Sequence, residues 1–309
     1  MITVLAGGVG AARFLQGLTK VVPENEIAVI VNSGDDIELH GLSICPDLDI
    51  IMYTLAEIVD EERSWGIRGD TFHCLETLKK YGCETWFKLG DRDLATHIYR
   101  TQLLKNGQTL SEITRRFCQL LGLKLKILPM SDEKVETKIV TDSGTMHFQE
   151  YLVKRGAQDR VNDVIFEGAE KAKPAPDVIS SIFDAEAIII CPSNPVVSIG
   201  TILSLKNVRG ALKETKAKVV AITPIVGGAP VKGPADRLMQ GLRLEASAYS
   251  VAHLYRDFLD VFVLDQLDRM EKKRIEGLGL QVITTNTLMK SLEDKVRLAE
   301  TALKSVGLR

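Results

Sequence analysis

The sequence predicts an α/β protein built on a doubly wound, mostly parallel sheet, and three observations carry that prediction. Ile2 to Leu5 is a short apolar run that stops at Gly7, Gly8 and Gly10, and the apolar positions Ala12, Phe14, Leu15 and Leu18 then recur with a helical period. Ile27 to Val31 repeats the apolar run and ends in Asn32-Ser33-Gly34-Asp35-Asp36, completing an opening strand-helix-strand unit. The same grammar returns late, where Ala187 to Ile190 runs into Cys191-Pro192-Ser193-Asn194-Pro195 and Val219 to Ile222 into Thr223-Pro224-Ile225-Val226-Gly227-Gly228. Four buried strands thus end in polar or glycine-rich loops, which a parallel sheet gathers at its carboxyl edge, where ligands bind.

The remaining elements follow in order. Leu48 to Gly122 reads as largely helical. Residues 123–166 alternate with period two, as in Lys124-Leu125-Lys126-Ile127 and Val135-Glu136-Thr137-Lys138-Ile139-Val140, with turn chemistry at Asp142-Ser143-Gly144-Thr145. Antiparallel strands with one wet face are expected there, as a small α+β insertion (123–166) in a core made of 1–122 and 167–309. Phe262 to Leu264 and Gln281 to Thr284 are further short strands.

Composition narrows the function classes. The 309 residues carry 39 Lys plus Arg against 41 Asp plus Glu, a formal net charge of -2, which argues against holding nucleic acid by bulk phosphate neutralisation. A hydrophobic content of 45% without low-complexity tracts supports a packed core rather than disorder. No apolar run approaches the roughly 18 to 20 residues of a membrane span, and the N-terminal apolar stretch is too short for a secretory signal. Five cysteines without CxxC spacing are expected as reduced thiols of a cytoplasmic protein, not as a zinc site.

Several constellations could carry chemistry. The turn around Gly8 and Gly10 can aim backbone N–H groups at a phosphate where a helix begins; as a dinucleotide fingerprint it lacks the third glycine and the ribose-binding acid. Asp35 and Asp36, and then Asp47 and Asp49, are paired carboxylates in strand-end loops, a donor type suited to Mg²⁺ on a diphosphate; helix capping by Asp47 or Asp49 is the alternative. Trp86 to His97 packs Lys88, Arg92 and His97 beside Asp91 and Asp93, either as an anion-binding group or as a surface ion-pair network. His40 follows the first acidic pair. Asn32, Ser193, Asn194 and Ser198 offer short polar side chains at strand ends. Gly227, Gly228 and Lys232 sit in a proline-stiffened loop with the composition of a phosphate cradle, although it is no Walker motif.

Taken together, Ala6 to Gly10, Val31 to Asp36, His40 to Asp49, Trp65 to Thr71, Trp86 to His97, Ser193 to Ile199 and Pro224 to Pro234 resemble the 2-phospho-L-lactate transferase family of deazaflavin coenzyme F-420 biosynthesis. Ala11-Ala12-Arg13 departs from an expected Gly-Ala-Lys, and Thr201 stands where a proline is expected. The resemblance implies a Rossmann-like core and transfer of a lactyl-phosphoryl group from lactyl-diphosphoguanosine to the ribityl hydroxyl of the deazaflavin precursor Fo, releasing GMP, with Mg²⁺. It further implies that Asp49, Lys88 and His97 contact the deazaflavin, with Asp49, Lys88 and Arg92 as the catalytic set. Gly8, Gly10, Asn32, Ser193, Asn194, Gly227, Gly228 and Lys232 would hold the guanosine diphosphate, and Asp35 and Asp36 the metal. A homodimer is expected, with no nucleic-acid or membrane partner. Two rivals remain at the level of sequence: a non-catalytic nucleotide-sugar-binding regulator of the same fold, and an NAD-dependent oxidoreductase.

Overall fold

A computed structural model describes residues 1–308. Its centre is a seven-stranded, wholly parallel sheet. The strands are β1 (Ile2–Ala6), β2 (Ile27–Val31), β3 (Lys126–Pro129), β4 (Ala187–Ile190), β5 (Lys218–Ile222), β6 (Val261–Asp265) and β7 (Gln281–Thr285), in the spatial order β7-β6-β5-β4-β1-β2-β3. β1, β2 and β4 are buried at every residue, which is why they read as unbroken apolar runs. Their side chains alternate between two cores: Leu5, Ile30, Ile188 and Phe262 face one, Val4, Val29, Ile189 and Val263 the other. The second is closed by helix α1 (Gly8–Leu18) through Phe14 and Leu15, and by the C-terminal helix Leu292–Ser305 through Leu298 and Ala299.

The chain reverses its direction of winding between β1 and β4, so the loops after these neighbours part at the sheet's centre and open the crevice that such folds use for ligands. The two loops touch closely. Ser193 Oγ donates to the Gly7 carbonyl at 2.8 Å, and a Cβ on Gly10 would lie 2.3 Å from the Pro192 carbonyl oxygen.

Between β2 and β3 the chain makes the hairpin Ile37–Leu39/Leu42–Ile44 and the helices α2 (Pro46–Leu55), α3 (His73–Lys80), α4 (Asp91–Lys105) and α5 (Leu110–Leu120). Alternation in the following stretch has two different origins. Lys126–Pro129 belongs to the central sheet as an edge strand parallel to β2, not to an antiparallel group. Glu136–Thr141 pairs antiparallel with Gly144–His147 and Val161–Glu167, as expected, with alternate residues of Glu136–Thr141 buried. This small sheet reaches back to the acidic loop after β2: Thr137 N donates to the Gly34 carbonyl at 2.7 Å, and His147 Nε2 lies 3.1 Å from the Asp36 carbonyl oxygen.

Candidate active site

The end of β2 builds the acidic loop. Asn32 Oδ1 accepts from Gly34 N at 2.9 Å and folds the loop back, while Asn32 Nδ2 donates to Asp47 Oδ2 at 2.9 Å. Asn32 is thus committed to structure on both ends of its amide. Asp47 joins the loop after β2 to the Gly7-Gly8 turn, whose Gly8 amide steadies its charged form. Burial prevails nonetheless and pushes the Asp47 carboxyl up to about 6.

Asp35 and Asp36 sit in the same buried patch. Burial, reinforced by the charge of Asp47, raises Asp35 well above the ordinary carboxylate range. Burial likewise raises Asp36, against the opposing pull of Cys45 and Arg100. Asp35 Oδ1 and Asp36 Oδ1 are both shut off from solvent without a hydrogen-bond partner. An orphaned buried carboxylate oxygen is costly, and a cation removes the cost. Among the described residues no cluster of three His, Cys, Asp or Glu side chains could cage a metal unaided. Two hard oxygens with ligand phosphates completing the shell are the donor set Mg²⁺ commonly takes, so these residues fit that ion.

Asp49 lies two residues beyond Asp47 on α2. Neither aspartate caps α2: Cys45 occupies the N-cap, Pro46 opens the helix, and both acids sit in the first turn, where the dipole favours them. Arg100, which is 1% exposed, grips the Asp49 carboxylate with both guanidinium nitrogens, Nη1 at 3.0 Å from Oδ2 and Nη2 on Oδ1. His97 Nδ1 lies 3.7 Å from Asp49 Oδ2, and its Nε2, which has no hydrogen-bond partner, lies 3.3 Å from Asp93 Oδ1, the oxygen that accepts from Tyr53 OH at 2.8 Å. His97 is therefore fully buried behind Asp49 and presents no surface to a ligand, contrary to its expected contact with the deazaflavin.

Asp70 fixes the start of α4. Its carboxylate accepts from Arg92 N at 2.8 Å and Asp93 N at 3.0 Å, and Asp91 in turn accepts from His73 N and Cys74 N at the start of α3. With Asp91 and Asp93 so occupied, the expected surface ion pairs of Arg92 do not form. Lys88 and Arg92 are exposed and, among the described residues, free of carboxylate partners.

The loops on the other side of the crevice are more committed than the sequence suggested. Ser193 bonds Gly7, and Asn194 Oδ1 accepts from Val196 N at 2.9 Å and Val197 N at 3.3 Å. Gly227 and Gly228 both adopt positive φ, 62° and 74°, and aim their amides at one anion, as a phosphate cradle would; the anion is the Asp268 carboxylate, at 2.8 and 3.1 Å. Lys232 is held below its usual range by partial burial and by the nearby charge of Arg13, two cations facing one another.

Sequence reasoning missed Arg100 and Asp268, and took Asp93 for a surface ion-pair partner and Asp70 only as part of a motif. A signal for Arg100 existed: Asp93, His97 and Arg100 stand at i, i+4 and i+7, one face of a helix, where apolar residues would ordinarily lie.

The crevice lies at the winding reversal of a parallel sheet, which places the chain among the Rossmann-like α/β proteins. Comparison with known proteins narrows the class. The family described as 2-phospho-L-lactate transferase CofD matches residues 2–300, and the chain belongs to that family of transferases. It is 42% identical over 302 residues to the 2-phospho-L-lactate transferase of Methanosarcina mazei, covering 98% of this chain and 99% of the relative. It is 44% identical over 309 residues to the phosphoenolpyruvate transferase of Streptomyces griseus, covering 98% and 97%. The crystal structure of protein BH3568 from Bacillus halodurans shares the fold, with a TM-score of 0.66 at 16% identity and 98% of each chain covered.

Proposed function

We propose that this transferase moves a lactyl-phosphoryl group from lactyl-diphosphoguanosine to the terminal ribityl hydroxyl of Fo, giving coenzyme F-420-0 and GMP in the cytoplasm. The observation that carries this reading is the pair of partnerless buried oxygens on Asp35 and Asp36 beside the Arg100-held carboxylate of Asp49. In-line phosphoryl transfer needs little from the protein beyond positioning and charge neutralisation.

A new bond forms between the ribityl oxygen and the lactyl-side phosphorus. The bond from that phosphorus to the bridging oxygen breaks, GMP leaves with that oxygen, and the hydroxyl proton is released. Mg²⁺ held by Asp35 and Asp36 would neutralise diphosphate charge. Asp49 accepts a hydrogen bond from the acceptor's ribityl chain; with one lone pair of each oxygen taken by Arg100, its orientation is fixed before the ligand arrives. Lys88 and Arg92, unpaired and exposed at the start of α4, balance negative charge that builds on the transferred group. Gly8, Gly10 and Lys232 face the donor's phosphates, with Arg13 beside Lys232. A phosphate at the Gly227 and Gly228 amides would take the place of Asp268.

The name of the Streptomyces relative supports a second donor, in which the three-carbon acid is enolpyruvyl. Incubation with Fo, Mg²⁺ and each guanylylated donor in turn, followed by mass analysis, tests both readings. The expected result is phosphoacyl-Fo together with GMP. GMP without modified Fo would mean hydrolysis and would overturn the acceptor assignment. Asp49→Asn strands the buried Arg100 charge and is expected to lower the melting temperature, and turnover of the folded variant, assayed well below that temperature, is expected to fall strongly; normal turnover there would remove Asp49 from the reaction.

A further inference from the structure

We infer that the inserted antiparallel sheet sets the metal-binding loop, with His147 as the positioning residue for Asp36. The inference rests on the metal reading above and adds what holds the two carboxylates in place.

The loop 32–36 is closed by two bonds of its own: Gly34 N donates to Asn32 Oδ1 at 2.9 Å and Asp36 N to the Ser33 carbonyl at 3.3 Å. Both engage amides and leave the carbonyls of Gly34 and Asp36 to find partners elsewhere. The partners come from the insertion. Thr137 N, on the strand Glu136–Thr141, meets the Gly34 carbonyl at 2.7 Å, and His147, on the paired strand Gly144–His147, meets the Asp36 carbonyl at 3.1 Å. Asp35 is thus flanked by a fixed carbonyl on either side. Burial dominates its carboxyl, and the Thr137 hydroxyl opposes burial by steadying the charged form.

The hydrogen bonds of His147 also fix its tautomer. Gln149 N donates to Nδ1 at 3.1 Å, and a backbone amide has only a proton to give, so Nδ1 carries a lone pair. The ring proton therefore sits on Nε2 and is donated to the Asp36 carbonyl. His147 is itself buried, and Phe148 and Tyr151 just beyond it belong to the main core, so the ring is anchored from behind.

Such a clamp answers a physical need. Two neighbouring ionised carboxylates in a buried patch repel each other, and with one oxygen of each unpartnered a free loop would turn them towards water. Pinning the backbone on both sides of Asp35 opposes that motion and keeps the pair in place for a cation. The fit leaves little slack: a Cβ on Gly34 would collide with Thr201 Cγ2 and lie 3.0 Å from Thr137 Oγ1.

Mn²⁺ can stand in for Mg²⁺, and its free fraction is read by electron paramagnetic resonance. With GDP present, full-length His147→Leu is expected to bind Mn²⁺ about tenfold or more weakly than wild type, the loss usual when a group that orients a metal ligand is removed. His147→Gln, which keeps an N–H donor at the end of its side chain, should recover most of that loss. GDP affinity in EDTA should be the same in wild type and both variants. Two-bond ¹H–¹⁵N spectra of the wild-type chain, assigned by the signal missing from His147→Gln, should show the neutral Nε2–H tautomer, a reading that does not depend on the leucine variant folding. Equal Mn²⁺ affinity in wild type and His147→Leu, or a proton on Nδ1, would overturn the positioning role and leave the metal assignment intact. A parallel loss of GDP binding in EDTA would overturn it as well, by showing a general loss of structure. A wild-type chain that binds no Mn²⁺ beside GDP would overturn the metal assignment and this role together.

Discussion

Arg100 and Asp49 define the site at the scale of single residues. A guanidinium 1% exposed, stacked 5.5 Å from the Phe117 ring centroid and bonded to a buried carboxylate, is stable only as a pair. Arg100→Met leaves the Asp49 charge buried and unmatched, and urea unfolding is expected to show a loss of about 3–5 kcal/mol. The double variant with Asp49→Asn should recover much of that stability without recovering turnover, because the carboxylate has gone with its partner. If Arg100→Met unfolds like wild type, the pair does not hold the site. The acids were legible because paired carboxylates after a buried strand are conspicuous. Arg100 was harder to read, since taken singly it looks like any other helix arginine and only its helical spacing from Asp93 and His97 marks the face as buried.

The beginning of α4 shows how a single element is placed. Gly90 at its N-cap has no side chain to offer, so Asp70 supplies the cap from outside the helix. Asp70→Ala strands the amides of Arg92 and Asp93 and is expected to cost about 1–2 kcal/mol in unfolding experiments. Because Lys88 and Arg92 flank this turn, the same variant should also lower turnover at saturating substrate; a change in stability alone would separate the cap from the reaction. Most elements could be read from periodicity, but Lys126–Pro129 could not. Lys126 lies at the amino end of β3, where even a core strand meets solvent, and with Lys124 it imitates the alternation of a half-wet strand; Ile127 and Leu128 then continue as a buried run.

The whole molecule pays for its site in stability. Asp47 is held at about 6 against an ordinary value of 3.8, so between those values the folded chain keeps a proton that the unfolded chain has released. Its contribution is fully present below pH 4 and is lost as the pH rises to 6. Asp35 and Asp36 are displaced in the same direction. Asp47→Asn keeps an acceptor for Asn32 and removes one titrating group, so its stability relative to wild type should rise as the pH goes from 4 to 6.5, measured by urea midpoints across that range. A constant difference would contradict the proton count. At this scale the strand-loop grammar foretold a parallel doubly wound sheet, whereas the strand order, and with it the winding reversal at β1 and β4, depended on long-range pairing that no local pattern encodes.

The sheet also separates the two substrates along the chain. Residues proposed for the donor's phosphates come from the turns and loops after β1 and β5, which belong to the sheet itself. Every residue proposed for the acceptor lies in the long excursion between β2 and β3, two strands that are direct neighbours and run in the same direction. That excursion is nonetheless tied to the donor side: Asp47 at the start of α2 reaches the Gly7-Gly8 turn, and Leu48 and Ile51 share a core with Phe14 and Leu15, so a change of acceptor preference built around α2 would be felt by the turn that meets the guanylylated donor.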